Sequence, residues 1–286
     1  MRDPKLMPSL TDPKIAGAKG ELSDLQSELN GLDRDGKWQE ALDLAKAFVA
    51  KQKQNLGGSS YFVGIGDSYV VRFAAQVKDM ALAESAAREE LAIKRRYLGE
   101  GCVETAATLD TLANIMLSER NVAAAANVVN ECWTKAQKQP PSLAARIYYL
   151  STLSTVARAQ GQNAQAAKCA AEAVALKMPN PEFYVLQPTI YDLLTRAARC
   201  HLDVGRYDQA QQYLGEYVRV RFDKTMFSDE DVAQMLVACA QAAELRQDRK
   251  QAQAAIQTAG QLLAGGRVSP ATQLLLAQYR RNLQIN

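Results

Sequence analysis

Apolar side chains recur along this chain every three or four residues, in runs of helical length divided by short polar or glycine-containing breaks. Leu22, Leu25, Leu29 and Leu32 form one such stripe, and Trp38, Ala41, Leu42, Ala45 and Phe48 form a second on the next segment. That spacing places each set on one face of a helix, so two consecutive helices are predicted over 14–34 and 37–55, with Gly57-Gly58 as the stop. A second hairpin is predicted over 59–98, its return helix starting near 81. Gly64 and Gly66 fall inside its first helix and are expected to weaken it by about 1 kcal/mol each relative to alanine. A third hairpin covers 102–138; the fourth pairs 142–160 with 163–177, the fifth 187–203 with 207–222, and the sixth 229–246 with 248–264. Pro140-Pro141 and Met178-Pro179-Asn180-Pro181 read as breaks. Ser269-Pro270 supplies a cap and a first-turn proline for a last amphipathic helix carrying Leu274, Leu275, Ala277, Tyr279 and Leu283. Residues 1–13, with three prolines, show no periodicity and read as a flexible tail; 14–266 read as the hairpin array and 267–286 as a capping helix.

The breaks between paired helices share a grammar. Asp203-Val-Gly-Arg-Tyr-Asp-Gln-Ala210 has a glycine that ends one helix in the left-handed backbone region and, five residues on, an alanine small enough for a close helix crossing. Gly36…Ala41 and Gly161…Ala166 repeat it, and Ala81…Ala86, Arg120…Ala125 and Gln247…Ala252 repeat it without the glycine. The first positions of these copies are separated by 45, 39, 41, 44 and 42 residues. A period near 42 predicts an all-α, right-handed solenoid of six stacked helical hairpins, in which each repeat packs only on its neighbours.

Composition narrows the function classes. A net charge of +3 across 286 residues, with no Lys/Arg block interleaved with aromatics, gives no nucleic-acid surface. The five cysteines, Cys102, Cys132, Cys169, Cys200 and Cys239, contain no Cys-x-x-Cys pair, and four of them sit among apolar neighbours in predicted helices, so free thiols in a reducing compartment are expected rather than a metal or disulfide framework. The N-terminus lacks a signal-peptide apolar core, and no stretch reaches the ~18 uncharged apolar residues of a membrane span; a cytoplasmic protein is the expectation. With His201 as its one histidine, the chain offers no His-based nucleophile–base pair or metal cluster. His201, Trp38 and Trp133 are expected in the core. No catalytic constellation and no cofactor are expected, and nothing in the residues sets an oligomeric state.

Leu194-Thr-Arg-Ala-Ala-Arg-Cys-His-Leu-Asp-Val-Gly-Arg-Tyr-Asp-Gln-Ala-Gln-Gln-Tyr-Leu214 resembles the tetratricopeptide repeat (TPR) family. The longer period, with Leu91-Ala-Ile-Lys-Arg-Arg-Tyr-Leu-Gly99 followed by Glu104-Thr-Ala-Ala-Thr-Leu-Asp-Thr-Leu-Ala113, is similar to the kinesin light chain-like subtype. The resemblance covers about residues 15–265. Where that subtype often carries two adjacent asparagines on the inner helix, this chain has Asp110-Thr111, Ser151-Thr152 and Thr195-Arg196.

The resemblance implies that the first helix of each hairpin lines a concave face, with outward positions ten, nine and six residues before the junction. On that register the groove residues are Asn30, Arg72, Asp110, Asn114, Thr155, Arg196, Arg199 and Gln241, joined by Lys78 and Arg158 one turn on. Arginine presents planar, bidentate donors suited to carboxylates, so a peptide or partner protein bearing acidic residues fits the groove cations. The competing reading pairs these arginines with Asp110, Asp192 and Asp203 inside the array. The expected function is a non-enzymatic interaction scaffold; the alternative is an architectural subunit of a larger assembly that docks by its convex face or ends.

Overall fold

The computed structural model describes residues 13–138, 140–180, 188–220, 229–263 and 268–284. Among them are thirteen helices and no strand. Residues 1–12 of the expected tail, Pro181 of the expected break and the boundary at 267 lie outside the described residues; Pro13 opens the first helix. The fold class is the predicted one, an all-α stack of helical hairpins.

Its helices are α1 (Pro13–Arg34), α2 (Trp38–Leu56), α3 (Tyr61–Gln76), α4 (Met80–Leu98), α5 (Val103–Ser118), α6 (Val122–Ala136) and α7 (Leu143–Ala159), followed by α8 (Asn163–Lys177), α9 (Ile190–Asp203), α10 (Tyr207–Val220), α11 (Glu230–Leu245), α12 (Arg249–Leu263) and α13 (Pro270–Asn282). They form two compact units, Met1–Val156 and Ala157–Asn286. In the first unit successive helices from α1 to α6 pack in order, and the core runs from Leu25 and Leu29 through Phe73, Leu109 and Met116 to Tyr149. In the second, successive helices from α8 to α13 pack in order, with α9 on α11 and α10 on α12 as next neighbours.

The junctions show why the chain folds back at a constant interval. One residue in each takes a positive φ: Gly36, Lys78, Arg120, Gly161, Gly205 and Gln247. The amide after it donates to a carbonyl five residues back, at 2.8–2.9 Å in all six: Lys37 to Leu32, Asp79 to Ala74, Asn121 to Met116, Gln162 to Ala157, Arg206 to His201 and Asp248 to Ala243. This is the Schellman stop, which satisfies helix-end carbonyls that would otherwise lack partners. Five residues beyond each positive-φ residue stands an alanine with no exposed surface: Ala41, Ala83, Ala125, Ala166, Ala210 and Ala252.

The second junction is therefore Lys78…Ala83, not Ala81…Ala86. The intervals become 42, 42, 41, 44 and 42, more regular than the sequence pattern alone suggested. The misplacement came from α4, whose alanines at 81, 83, 86 and 87 offer several registers for one small residue. Gly64 and Gly66 have a packing role beside their expected cost in helix propensity. A Cβ on Gly66 would lie 2.6 Å from Val49 Cγ2, and one on Gly64 would lie 2.8 Å from Ile93 Cγ2. These glycines let α3 approach both α2 and α4, and α3 is continuous.

Helix α13 is anchored by Glu230, the first residue of α11. Its carboxylate accepts from the Ser269 amide (2.7 Å), the Ser269 hydroxyl (3.0 Å), the Thr272 hydroxyl (2.5 Å) and the Gln234 amide (2.7 Å). Those bonds, the one from Thr272 foremost, hold its pKa down to about 2. Thr272, Leu276 and Leu283 are the buried residues of this segment, whereas Leu274 is 67% exposed and Leu275 36%. The apolar stripe expected through 274, 275 and 277 thus faces outward, because the inward face follows 272, 276 and 283.

Candidate functional site

Counting back from the observed positive-φ residues gives a common register for the first helices. Six residues before each stand Asn30, Arg72, Asn114, Thr155, Arg199 and Gln241. All are exposed except Thr155, which is half-buried. The flanking positions, ten and nine before, are Gln26/Ser27, Ser68/Tyr69, Asp110/Thr111, Ser151/Thr152, Thr195/Arg196 and Val237/Ala238. Counted from Ala81, positions ten and nine before fall on Val71 and Arg72; Val71 is buried, and on the observed register Ser68 and Tyr69 take those two positions. Arg72 stays on the face under either register. The missed signal for Ser68 and Tyr69 was Asp79, a good N-cap residue directly after Lys78.

In the first unit, side chains on this face are tied from one first helix to the next. Gln26 donates to the Tyr69 hydroxyl at 2.8 Å, and Arg72 pairs with Asp33, joining α1 to α3. Thr152 donates to Asp110 at 2.7 Å, joining α5 to α7, and Asn114 donates to the same carboxylate at 3.1 Å. In the second unit, Arg158 near the end of α7 pairs with Asp203 at 2.5 Å, and Arg199 on α9 pairs with Asp231 on α11 at 3.3 Å. Gln241 on α11 donates to the Tyr279 hydroxyl on α13 at 3.0 Å.

Three of the four arginines expected as groove cations therefore meet an aspartate of a neighbouring first helix. These pairs are open to solvent, with arginine side chains 44–49% exposed, and exposed pairs contribute only about 0–1 kcal/mol. A guanidinium carries five donors, so one aspartate contact does not exhaust it. Arg196 is half-buried. Lys78 is the junction residue itself, exposed and at φ 65°, so it lies off the helix rather than one turn along it.

The remaining candidates sort by burial. His201 is 5% exposed, with Nδ1 2.9 Å from the Ala197 carbonyl oxygen and its ring 5.2 Å from Tyr213, as expected of a core residue. Trp133 is half-buried against Tyr149 at 5.3 Å, but Trp38 is 40% exposed and not a core side chain. Cys132, Cys169, Cys200 and Cys239 are buried. Burial raises Cys132 to about 11 and Cys239 to about 12, which keeps them as thiols and poor nucleophiles. Among the described residues no three His, Cys, Asp or Glu side chains converge as metal ligands would, and no helix is long and apolar enough to cross a membrane.

No protein-family model matches the chain, and neither does any curated protein sequence. Solved structures do. The nearly identical TPR-like repeats of a kinesin light chain-type protein from Podosopora anserina match at 18% identity and TM-score 0.54, over 70% of this chain and 94% of that one. BtubC (BKLC) from P. vanneervenii matches at 13% identity and TM-score 0.59, over 84% and 91%. Pseudomonas aeruginosa pilF matches at 16% identity and TM-score 0.56, over 92% and 99%. At these identities the likeness is one of fold, and it agrees with the six Schellman junctions and their buried alanines: the chain has the tetratricopeptide-repeat fold.

Proposed function

We propose that this protein is a non-enzymatic interaction scaffold that binds a peptide or partner protein on the exposed face of its first helices. The observation that carries this reading is the run of polar, accessible side chains at one repeat position: Asn30, Arg72, Asn114, Arg199 and Gln241. A packed array does not need amides and guanidinia at that position, since the stabilising burial lies on the opposite face. Hydroxyls, amides and arginines suit hydrogen bonding to a peptide backbone. Acidic side chains on the partner would engage the donors that Asp33, Asp203 and Asp231 leave available on Arg72, Arg158 and Arg199. Most of the energy of these exposed pairs is already discounted by water, so exchanging one carboxylate for another costs little.

Docking through the second helices has a specific observation in its favour. A cleft of about 540 Å³ lies between α10 and α12, lined by Asp208, Gln211, Gln212, Asp248, Lys250 and Gln251 among others. The two readings separate in one experiment. The parent protein, an Arg196→Glu/Arg199→Glu variant and a Gln212→Glu/Lys250→Glu variant are immobilised and exposed to native lysate, and captured proteins are identified by mass spectrometry. Loss of the same partner with the arginine variant alone is the expected result. Capture unaffected by the arginine variant but lost with the second-helix variant would reject the first-helix face.

A further inference from the structure

The repeat register also exposes an irregularity inside the second hairpin. Eleven residues before the junction, five hairpins place a buried leucine: Leu25, Leu109, Leu150, Leu194 and Leu236. The second hairpin has Asp67 there, 3% exposed. Twelve residues after the junction the other five carry Phe48, Cys132, Ala173, Tyr217 and Ala259, all buried; the second has Glu90, 4% exposed. Two apolar core positions of one hairpin are thus carboxylates.

Their surroundings do not balance them. Glu90 is held by Lys94 at 2.5 Å and by the Thr108 hydroxyl at 2.9 Å. Glu89 is held by Lys53 at 2.7 Å. Asp67 Oδ2 is buried with no hydrogen-bond partner. From α2 the charged group facing Asp67 is Lys53, and from α4 they are Glu89 and Glu90. Helix α1 meets α3 elsewhere, through Gln26 with Tyr69 and Asp33 with Arg72. Each ammonium already has its own carboxylate, so a third negative charge at Asp67 would be uncompensated in the core.

We propose that the second hairpin is a pH-responsive element, packed tightly while Asp67 carries a proton and loosened between α2, α3 and α4 when that proton leaves. An unpaired carboxylate in an apolar site is costly, and gaining a proton relieves the cost. Burial, then Glu89, push Asp67 up to about 7; Lys53 pulls the other way by less than Glu89 pushes, and Glu90 adds the least. A raised carboxyl pKa opposes folding at high pH. The penalty is absent below the unfolded value near 4, grows through the interval, and is complete above about 7. Helix α3 carries Tyr69 and Arg72 on its exposed side, so loosening displaces them whether or not that face binds a partner.

Hydrogen exchange of the full chain at pH 5 and pH 8, corrected for intrinsic amide rates, tests this in the parent, Asp67→Asn and Asp67→Leu proteins. Exchange through opening of α3 and α4 is expected to accelerate in the parent by about tenfold or more between the two pH values. Both variants are expected to flatten that dependence. Asp67→Leu restores the side chain of the other five hairpins and keeps the comparison usable if the asparagine disturbs packing. Equal protection of the parent α3 at both pH values, or the same pH dependence in Asp67→Leu, would overturn the proposal.

Discussion

At each junction one residue accepts a left-handed backbone, and the chain meets that demand in two ways. Gly36, Gly161 and Gly205 accept it without a Cβ; Lys78, Arg120 and Gln247 accept it at a steric cost of about 1–2 kcal/mol. The cost is met next door. Asp79, Asn121 and Asp248, which follow the non-glycine residues, accept hydrogen bonds from the amides of Leu82, Ala124 and Gln251, whereas Lys37 and Gln162, which follow glycines, make no side-chain cap. Gly161→Ala is therefore expected to destabilise by about 1 kcal/mol, wholly through the backbone, because nothing lies within 4 Å of the added Cβ. Asp79→Ala is expected to cost a similar ~1 kcal/mol through the lost cap. Urea denaturation of both variants measures the two terms. An unchanged midpoint for either would show that the neighbouring helices, not the local geometry, hold that junction.

At the scale of a helix, propensity and packing oppose each other most plainly in α3. Alanine at position 66 would be favoured by about 1 kcal/mol in an isolated helix. In the folded protein its Cβ would lie 2.6 Å from Val49 Cγ2 and 3.0 Å from Phe48 Cδ1, and such overpacking costs about 1–3 kcal/mol. Gly66→Ala is accordingly expected to lower the melting temperature while leaving the circular dichroism of the folded protein unchanged. A rise in melting temperature would mean that α2 yields to the methyl group and that propensity decides. The same opposition lies outside what the sequence pattern can show for this hairpin. Periodicity reports which residues face inward, but it does not report how near the facing helix comes.

For the molecule as a whole, a repeat array is held together by neighbour contacts, so its last hairpin needs a cover. We assign that role to α13. It seats Leu276 and Leu283 inward, ties Ser269 and Thr272 to Glu230, and brings the Leu283 carbonyl to Gln253 at 2.9 Å. At the positions where other first helices place inward apolar side chains it carries Gln273, Ala277 and Arg280, which suits an outer surface. Ending the chain at 263 is expected to expose the apolar face of α11 and α12 and to cause concentration-dependent aggregation, read by light scattering. A truncated protein that stays monodisperse with parental stability would remove α13 from that role.

The amino-acid sequence alone determined the helices, their pairing, an interval near 42 residues and the small residue at five of the six crossings. All four arise from local backbone chemistry and from the spacing of apolar side chains along a helix. It also determined that His201 belongs in the core and that residues such as Asn30 and Gln241 belong outside. The tertiary structure decided which of several alanines in α4 is the close-contact one, because only a facing helix distinguishes them. It decided that Arg72, Arg158 and Arg199 already meet aspartates on neighbouring helices, a pairing between residues roughly 30–45 positions apart that no local pattern records. It decided, finally, that Asp67 lies buried without a partner for Oδ2. An aspartate among apolar neighbours looks the same in a sequence whether its helix turns it toward water or into the core.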